Sequence, residues 1–436
     1  MSFLAITWLV LAACAMAQVL LLTLQTYEHR RFARSRLRNA RTTAMHARIR
    51  LLAPCKGVDV GLADNLRPLL AQDYPNYEVV FIVESADDPA CNTIRQLMVE
   101  SRSVPVRLLI SGKAVETGQK VHNLLAGTAD LPTDVEILAF VDSDARPHPA
   151  WLRLLVQRLD APGAAAATGY RWFVPTRPSL AAYIQYSINA CAAVMYRADA
   201  RRLVWGGSWA IRRDKFEECG LRAAWHGTLS DDLVASRVLR KARMRVEFEP
   251  ACMLPSPLEL DVGQMFEFLR RQYIVGRTYA VRNWTLGFAA IVTTAVAFWA
   301  GLAAIGVGLI VGANWTWIPA LFCCSWYVLN VARGYMRRAT ARTYFADRFP
   351  VLARACLFDA WCIPLTALVN ASAMVAAALG SRITWRGNTY RIYQGGRISV
   401  INPARIDLPH GVRIDRAQEV FDLFQSKPRE QNKKFV

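Results

Sequence analysis

The chain has 436 residues, enough for about three domains of average size, and combines a formal net charge of +19 with 53% hydrophobic residues. This apolar content excludes an intrinsically disordered chain, and the 24 Gly and 20 Pro follow no period, which excludes a collagen-like one. A large basic excess is typical of proteins that bind nucleic acids or anionic membranes. The positions of the charges decide between these two classes.

Three segments of the chain contain no Asp, Glu, Lys or Arg: residues 3–24, 283–332 and 360–381. About 20 apolar residues span a bilayer, so the first segment predicts one transmembrane helix and the second predicts two, joined by a turn near Gly312. Arginines crowd the flanks of both segments, namely Arg30, Arg31, Arg34, Arg36, Arg333, Arg337 and Arg338. This distribution predicts a multi-pass membrane protein and no nucleic-acid partner.

The arginine flanks also predict how the domains follow one another. By the positive-inside rule, an N-terminal transmembrane helix at 1–28 leads into a cytosolic domain at 29–282. A membrane region at 283–381 and a basic C-terminal tail at 382–436 complete the chain.

The segment 360–381 raises a question of topology, because a single crossing there would place the arginine-rich tail outside the cytosol. Either the segment is re-entrant or interfacial, broken at Pro364 and Asn370, or the rule fails in this chain. We favour the first alternative, since it keeps the positive tail inside.

Short apolar runs and helical patterns alternate within residues 29–282. The runs typical of strands are 49–53, 78–83, 106–110 and 135–141, and the helical patterns between them are 65–71, 91–101 and 120–129. This alternation predicts an α/β domain with a mostly parallel sheet wrapped by helices. In such sheets ligands bind at the carboxyl ends of the strands.

Two carboxylates, Asp142 and Asp144, follow the strand predicted over 135–141. Side chains two residues apart in an extended chain point the same way, so these two converge at the end of the strand. Carboxylate oxygens are ligands that Mg²⁺ and Mn²⁺ accept beside phosphate oxygens. The pair predicts a divalent-metal site; an ordinary acidic turn is the alternative interpretation.

A second acidic motif, Ser230-Asp231-Asp232, opens a predicted helix. Ser230 or Asp231 would cap the helix by accepting a hydrogen bond from its first turn. One carboxylate cannot serve well as both cap and catalyst, so we predict that Asp231 caps the helix. Asp232 then faces the cleft as a general base, which is useful wherever a hydroxyl must become a nucleophile.

Further polar residues follow the predicted strands. Glu84, Asp87 and Asp88 would accept hydrogen bonds from a base or ribose, or form only a turn. Lys56 and Lys120 lie beside glycines and would neutralise a diphosphate.

Two motifs lie closer to the second half of the chain. Arg270 and Arg271, just before the long apolar segment, would clamp a diphosphate through paired hydrogen bonds or hold anionic lipid headgroups. The stretch 205–209 would form a sugar or acceptor platform from Trp205, Gly206, Gly207 and Trp209; a tight turn with two core aromatics is the alternative.

These motifs, in this order, resemble those of the ceramide glucosyltransferase family, a membrane branch of the inverting glycosyltransferases with a GT-A fold. The similar stretches are 52–59, 65–66, 72–79, 87–90, 120–124, 141–144, 205–208 and 230–233. The resemblance implies a GT-A nucleotide-sugar-binding domain, a UDP-sugar donor, Mg²⁺ or Mn²⁺, and a membrane lipid as acceptor. It also implies a location in the inner membrane of a bacterium, with the catalytic domain in the cytosol.

The acidic positions of this family carry over to specific residues. The first falls within 84–88, the second is Asp142, which serves the nucleotide-sugar and its metal, and the third is Asp232, the base for the acceptor hydroxyl. The final motif of the family ends in Arg-Trp, where this chain has Gln272-Tyr273. Because a neutral amide does not replace a guanidinium on a diphosphate, we expect a neighbouring arginine, Arg270 or Arg271, to compensate.

The sequence therefore predicts an inverting glycosyltransferase. It would move a hexose, glucose or N-acetylglucosamine, from a UDP-sugar to the hydroxyl of a membrane lipid such as ceramide; hopanoids and diacylglycerol are alternative acceptors. A processive polysaccharide synthase would need more C-terminal crossings to form its channel. A non-catalytic membrane scaffold would have no use for the acids at 142, 144 and 232.

Overall fold

The computed structural model describes residues 3–38, 46–58, 61–101, 103–196 and 203–402. The central domain contains strands β1 to β7, in chain order Arg48–Pro54, Tyr77–Val83, Val106–Ile110, Val135–Val141, Ala164–Pro175, Ser208–Arg212 and Arg245–Leu258. Between and after them lie helices α2 to α10, in chain order Leu62–Leu66, Ala90–Glu100, Gln119–Gly127, Trp151–Gln157, Leu180–Ala193, Arg213–Glu218, Leu221–Trp225, Asp231–Lys241 and Val262–Tyr279.

The remaining elements flank this domain. They are α1 (Phe3–Arg38) before it and, after it, α11 (Val281–Ile310), α12 (Trp317–Tyr344), α13 (Phe349–Trp361), α14 (Ile363–Leu379), β8 (Arg382–Trp385), β9 (Asn388–Ile392) and β10 (Ile398–Asn402). The predicted boundary at residue 28 falls inside α1, which continues without a break to Arg38.

The domain is built on one seven-stranded sheet with the order β3-β2-β1-β4-β6-β5-β7. Strands β3, β2, β1 and β4 are parallel, β6 runs antiparallel to both of its neighbours, and β5 and β7 are parallel. The central strands are buried on both faces because their apolar runs are covered by helices on either side. The predicted α/β domain with a mostly parallel sheet is confirmed.

The strand order brings three loops to one edge of the sheet. Strands β1 and β4 pair in parallel, with Leu51 opposite Ala139, so the loops that follow them lie side by side. Strand β6 enters antiparallel to β4, with Ser208 opposite Val141. The loop before β6 therefore meets the loop after β4, and the Asp142 amide donates to the Gly207 carbonyl at 3.4 Å.

Two described helices, α1 and α11, are long and apolar enough to cross a membrane. Helices α13 and α14 would form a third span only if taken together, and they meet at an angle of 82°. Helix α12 carries arginines in its second half and packs against α1 and α11.

The chain leaves the central domain at α11 and returns to it at the end of α12. Phe345, just beyond α12, packs edge-on against Trp172 of β5, with ring centroids 6.3 Å apart. After α14, the side chains of Ile383 and Tyr390 are buried in the core of the domain. Helices α13 and α14 thus begin and end at the domain, which favours the re-entrant or interfacial alternative for 360–381. The break lies at Cys362, and α14 continues through Asn370, which was predicted to interrupt it.

The first part of the segment 382–436, which was predicted to be a basic tail, is folded. Residues 382–402 form a three-stranded antiparallel sheet with the order β10-β9-β8, and residues from 403 onward lie outside the described part. Backbone bonds join this small sheet to the domain, such as that from the Ile398 amide to the Gly227 carbonyl at 3.1 Å. Within β8 and β9 the buried side chains, Ile383 in the first strand and Asn388 and Tyr390 in the second, have more exposed neighbours on either side. That two-residue period is a strand pattern, which a count of positive charges overlooks.

Candidate active site

A cavity of about 830 Å³ opens at the carboxyl ends of β1 and β4. Its walls come from the loops after these strands, the first turns of α4 and α9, the loop before β6, helix α10 and the β8–β9 hairpin. This volume is typical of sites for small-molecule ligands. Of the predicted site residues, those that line the cavity are Lys56, Lys120, Asp142, Asp144, Trp205, Asp232, Arg271, Gln272 and Tyr273.

Lys120 holds the acidic residues of the cavity together. Its ammonium lies 2.7 Å from Asp142 Oδ1 and 3.2 Å from Asp231 Oδ2, and it donates to the Gly206 carbonyl at 3.4 Å. All three ionic side chains are largely buried, Asp231 most completely. One lysine on α4 thereby connects the end of β4, the start of α9 and the loop before β6.

Burial and the charge of Lys120 act in opposite directions on the two carboxylates. At Asp142, burial raises the pKa, but the Lys120 ammonium at 2.7 Å, with Arg171 and Arg386, outweighs it and lowers the pKa. At Asp231, burial prevails over the more distant ammonium and raises the pKa to about 6. Burial also opposes the charge of Lys120, yet the carboxylates around it, Asp142 foremost, raise its pKa. The Lys120–Asp142 pair therefore stays charged at neutral pH.

Asp232 projects from the first turn of α9 into the cavity. Its Oδ1 accepts from the Ser230 hydroxyl and the Leu233 amide, both at 2.7 Å, and its Oδ2 accepts from the Gly206 amide at 3.1 Å. Each carboxylate oxygen has two lone pairs, so Oδ2 retains one for a further donor. This geometry suits a proton acceptor that is held in a fixed orientation.

The cap of α9 is Ser230, one of the two candidates in the sequence, and not Asp231. The Ser230 hydroxyl accepts from the Leu233 amide at 3.2 Å and is the N-cap, whereas the Asp231 side chain pairs with Lys120. A serine hydroxyl is short enough to reach back to the helix, and this leaves the carboxylate of Asp231 for the buried cation.

The two glycines before β6 allow this close assembly. A Cβ atom at Gly206 would lie 2.5 Å from Asp231 Oδ2 and 2.8 Å from the Lys120 ammonium. A Cβ atom at Gly207 would lie 2.7 Å from Asp142 Oδ2. The absence of a side chain is thus a steric requirement of the cluster, since real Cβ atoms do not approach so closely.

The carboxylates of the cavity were also predicted to hold a metal. Among the described residues, no group of three His, Cys, Asp or Glu side chains could hold an ion alone. Mg²⁺, however, binds proteins through one or two carboxylates and completes its shell with water and substrate phosphates. Asp142 and Asp144 line the same cavity and fit that requirement, with Asp142 shared with Lys120.

Three arginines line the cavity together with the carboxylates: Arg171, Arg271 and Arg386. The guanidinium of Arg271 lies over the rings of Phe268 and Trp385, at 5.2 and 5.6 Å from their centroids. Burial, together with the positive charges of Arg171 and Arg386, lowers the pKa of Arg271 to about 10. The arginines are therefore near enough to repel one another.

Several predicted residues lie outside the cavity wall. Arg270 reaches the carbonyl of Arg382 at 3.5 Å, so of the two adjacent arginines only Arg271 faces the cavity. Trp209 is fully buried and stacks on Phe140, with ring centroids 4.2 Å apart, which makes it a core residue instead of a sugar platform. The reason is that side chains alternate along a strand: Trp209 is on β6, where its side chain packs in the hydrophobic core on one face of the sheet.

Two of the acids that follow β2 contact the loop after β1, next to the cavity. Glu84 pairs with the Lys56 ammonium at 2.7 Å, and Asp88 Oδ1 accepts from the amides of Gly57 and Ala90, both at 2.9 Å. Asp87 is exposed. None of the three lines the cavity. Their contact with a base or ribose stays a prediction.

Sequence reasoning missed several residues of the cavity wall. Arg171 lies on β5, and Trp385, Arg386 and Tyr390 come from a segment predicted as a tail. Tyr273, a predicted donor-binding residue, also donates its hydroxyl to Asn370 of α14 and so connects α10 to the membrane region. The apolar and β-branched residues on either side of Arg386-Gly387 were a signal that could have identified the hairpin.

Comparison with known proteins gives the family. The sequence model of "Glycosyl transferase family 21" matches residues 8–398, most of the chain. The chain belongs to this glycosyltransferase family. The match confirms the family predicted from the motifs and identifies the protein as a transferase.

Individual relatives are more distant. Ceramide glucosyltransferases 3 and 1 of Caenorhabditis elegans are 27% and 26% identical over 77 residues, which is 18% of this chain and 17% and 16% of theirs. The match thus spans less than a fifth of either relative. A mannosyltransferase of Pyrobaculum calidifontis, solved with GDP-Man and Mn²⁺, is 15% identical, with a TM-score of 0.45 over 85% of this chain and 98% of that one. That likeness is too distant to carry functional information.

Proposed function

We propose that this family 21 glycosyltransferase moves a hexose, glucose or N-acetylglucosamine, from a UDP-sugar to the hydroxyl of a membrane lipid such as ceramide. Hopanoids and diacylglycerol are the alternative acceptors. The observation that carries this proposal is that Asp232 and Arg271 line one cavity with the Lys120–Asp142 pair. A proton acceptor and a cation for a leaving group therefore face the same space.

The donor lies, in this proposal, along the ends of β1 and β4. Lys56, Lys120 and Arg271, which all line the cavity, bind the diphosphate. Asp142 and Asp144 would hold Mg²⁺ or Mn²⁺, which would supply positive charge to the phosphate oxygens. Glu84, Asp87 and Asp88 remain the proposed contacts of the uridine.

The acceptor hydroxyl attacks the anomeric carbon from the side opposite the diphosphate. Asp232 Oδ2 accepts its proton as the new C–O bond forms, and UDP leaves with the electron pair of the broken bond. The hydrogen bond from the Gly206 amide holds the carboxylate in place. A single displacement inverts the anomeric centre, so an α-linked donor gives a β-glycoside.

Apolar helices next to the cavity support a lipid acceptor. Residues from α6 and α10, such as Ala192 and Val275, line the cavity, and both helices pack on α14. A lipid headgroup can reach Asp232 while its chains stay in the bilayer. We place the domain at 29–282 in the cytosol at the inner membrane of a bacterium, with α1, α11 and α12 crossing it.

The full-length protein in lipid nanodiscs, supplied with labelled UDP-glucose or UDP-N-acetylglucosamine, Mg²⁺ and ceramide, hopanoid or diacylglycerol, tests the proposal. We expect a glycolipid, identified by mass spectrometry, with a β-linkage seen by NMR. A long polymer would instead support a processive synthase. Absence of product from every donor and acceptor, with no hydrolysis of UDP-sugar, would favour a non-catalytic scaffold.

The adjacent arginines of α10 provide a matched pair of variants. Arg271→Ala is expected to weaken UDP binding by about 10- to 100-fold, the usual worth of a charge-assisted hydrogen bond. Arg270→Ala removes the same charge one residue away, outside the cavity, and is expected to leave UDP binding within about twofold of wild type. Isothermal titration with UDP and Mg²⁺ measures both. Equal effects of the two substitutions would contradict this assignment.

A further inference from the structure

Three aromatic side chains form a wall of the cavity close to Asp232. The Tyr170 ring contacts those of Tyr196 and Trp205, with ring centroids 4.5 and 5.6 Å apart, and all three residues line the cavity. Burial raises the pKa of the Tyr170 and Tyr196 hydroxyls, and the negative charge of Asp232 raises both pKa values as well. The two tyrosines are therefore near the proposed base.

Another part of the cavity wall comes from α6 and the chain that follows it. Of the described residues there, Ala192, Tyr196 and Leu203 line the cavity, and none of them is charged. A diphosphate is stabilised by cations, which these residues do not supply, whereas the apolar part of a lipid is stabilised by contact with apolar and aromatic surface. Helix α6 also packs on α13 and α14 of the membrane region. This part of the wall therefore suits the lipid acceptor better than the nucleotide-sugar.

Helix α1 reaches the same wall through His29, whose side chain is completely buried. The Nδ1 atom of His29 bonds the backbone carbonyl of Tyr196, and since a carbonyl only accepts, Nδ1 is the nitrogen that carries the hydrogen. The Nε2 atom of the neutral ring accepts from the hydroxyl of Tyr344, at the end of α12, at 3.0 Å. One histidine thus connects α1 and α12 to the backbone of Tyr196.

The ring of Tyr196 and its backbone are held by different contacts. Phe248 of β7 packs on the Tyr196 ring and on the His29 ring, with centroids 5.2 and 6.1 Å apart. The carbonyl of Tyr196 is held by the Nδ1 hydrogen bond of His29. Loss of that bond would leave the carbonyl without this donor and would let the backbone at Tyr196 move relative to Asp232.

We infer that Tyr196 binds the lipid acceptor next to its reacting hydroxyl and that His29 is the residue that positions Tyr196. The inference rests on the proposed function. It assigns α1, which is long and apolar enough to cross a membrane, a part in acceptor binding as well as in membrane attachment.

Two substitutions of His29 separate positioning from structural support. In His29→Asn an amide N–H replaces Nδ1 and keeps the bond to the Tyr196 carbonyl, whereas in His29→Gln the amide reaches the place of Nε2 and keeps the bond with Tyr344. Each variant loses one hydrogen bond, so both should lower the thermal unfolding temperature alike. We expect His29→Gln to raise the KM for the acceptor lipid about 5- to 10-fold, and His29→Asn to stay within about twofold of wild type. The KM for the UDP-sugar should be unchanged in both.

The substitution Tyr196→Ala tests the ring itself. It should raise the KM for the acceptor lipid by about 10-fold and leave the affinity for UDP within about twofold of wild type. Tyr393→Ala, which removes an exposed ring from the small sheet, is the control and should change neither value. Transfer in nanodiscs gives the KM values, and isothermal titration gives the affinity for UDP. Native mass spectrometry with ceramide, diacylglycerol or hopanoid measures lipid binding without transfer.

The outcomes separate this inference from the proposed function. Equal KM values for the lipid in His29→Gln and His29→Asn, or an unchanged value in Tyr196→Ala, would overturn the inference while sugar transfer by wild type still supports the function. Lipid binding weakened in His29→Gln and Tyr196→Ala but not in His29→Asn, without transfer by wild type, would support the acceptor contact and overturn the transfer. A wild-type protein that neither binds nor glycosylates any of the three lipids would overturn both.

Discussion

Replacing Asp232 with asparagine is expected to reduce sugar transfer by about 100- to 10,000-fold, the usual contribution of a general base. The amide has nearly the shape of the carboxylate but cannot accept the proton of the acceptor hydroxyl. Its NH₂ group would also oppose one of the three donors around Asp232, at a cost of about 1 kcal/mol in folding stability. Transfer is measured by glycolipid formation in nanodiscs, and folding by the thermal unfolding temperature.

The binding of UDP distinguishes a loss of chemistry from a loss of structure. Affinity for UDP should change little in Asp232→Asn, because the proposed base faces the acceptor. Asp214→Asn, on an exposed part of α7, is the control and should match wild type in every assay. Transfer by Asp232→Asn at more than a tenth of the wild-type rate would sink the assignment of Asp232 as the base.

The second large effect is expected from Lys120→Met. The substitution leaves Asp142 and Asp231 without the cation between them, and breaking a buried ion pair costs about 3–5 kcal/mol. We expect the lower end, because Asp142 is 24% exposed and retains some solvation. UDP binding should also be lost, since two uncompensated carboxylates repel the diphosphate. Thermal unfolding and titration with UDP measure the two effects.

The destabilisation by Lys120→Met should depend on pH. Burial already raises the pKa of Asp231 to about 6, and without Lys120 it would rise further, while the pKa of Asp142 would rise from its lowered value because Lys120 is the main cause that lowers it. A carboxyl with a raised pKa in the folded state favours folding while protonated, and this contribution disappears as the pH rises through that pKa. The difference in the free energy of unfolding between Lys120→Met and wild type should therefore be smaller at pH 5 than at pH 8. Lys215→Met, which breaks an exposed pair with Glu218, is the control and should show no gap at either pH. An equal gap at both values of pH would argue against the buried charge cluster.

The strands of the central domain could be predicted from the sequence because local patterns specify them. The runs 106–110 and 135–141 coincide with β3 and β4, the run for β1 is one residue short at each end, and the run for β2 is one residue short at its start. A buried strand in a parallel sheet needs a continuous apolar run, and that requirement is visible in the sequence. The carboxyl end of β4 was therefore known, and with it the place of Asp142 and Asp144.

The orientation of neighbouring side chains depended on packing that no local pattern reveals. Arg270 and Arg271 are adjacent, and the sequence makes them equally good candidates for a diphosphate-binding residue. Only the packing of α10 against the hairpin shows that Arg271 is the one that faces the cavity. Trp205 and Trp209 likewise share one motif. The loop places Trp205 at the cavity, whereas the alternation of β6 buries Trp209.

The sequence by itself determined the family, the α/β domain, the apolar membrane segments and the acids at the end of β4 and the start of α9. These features are local, since a strand, a helix cap or an apolar segment is encoded in consecutive residues. Only the tertiary structure decided that Lys120 joins Asp142 to Asp231 and that Arg171 and Arg386 enter the cavity. Those contacts join residues far apart in the chain, and their geometry follows from how strands and helices pack, which consecutive residues do not encode.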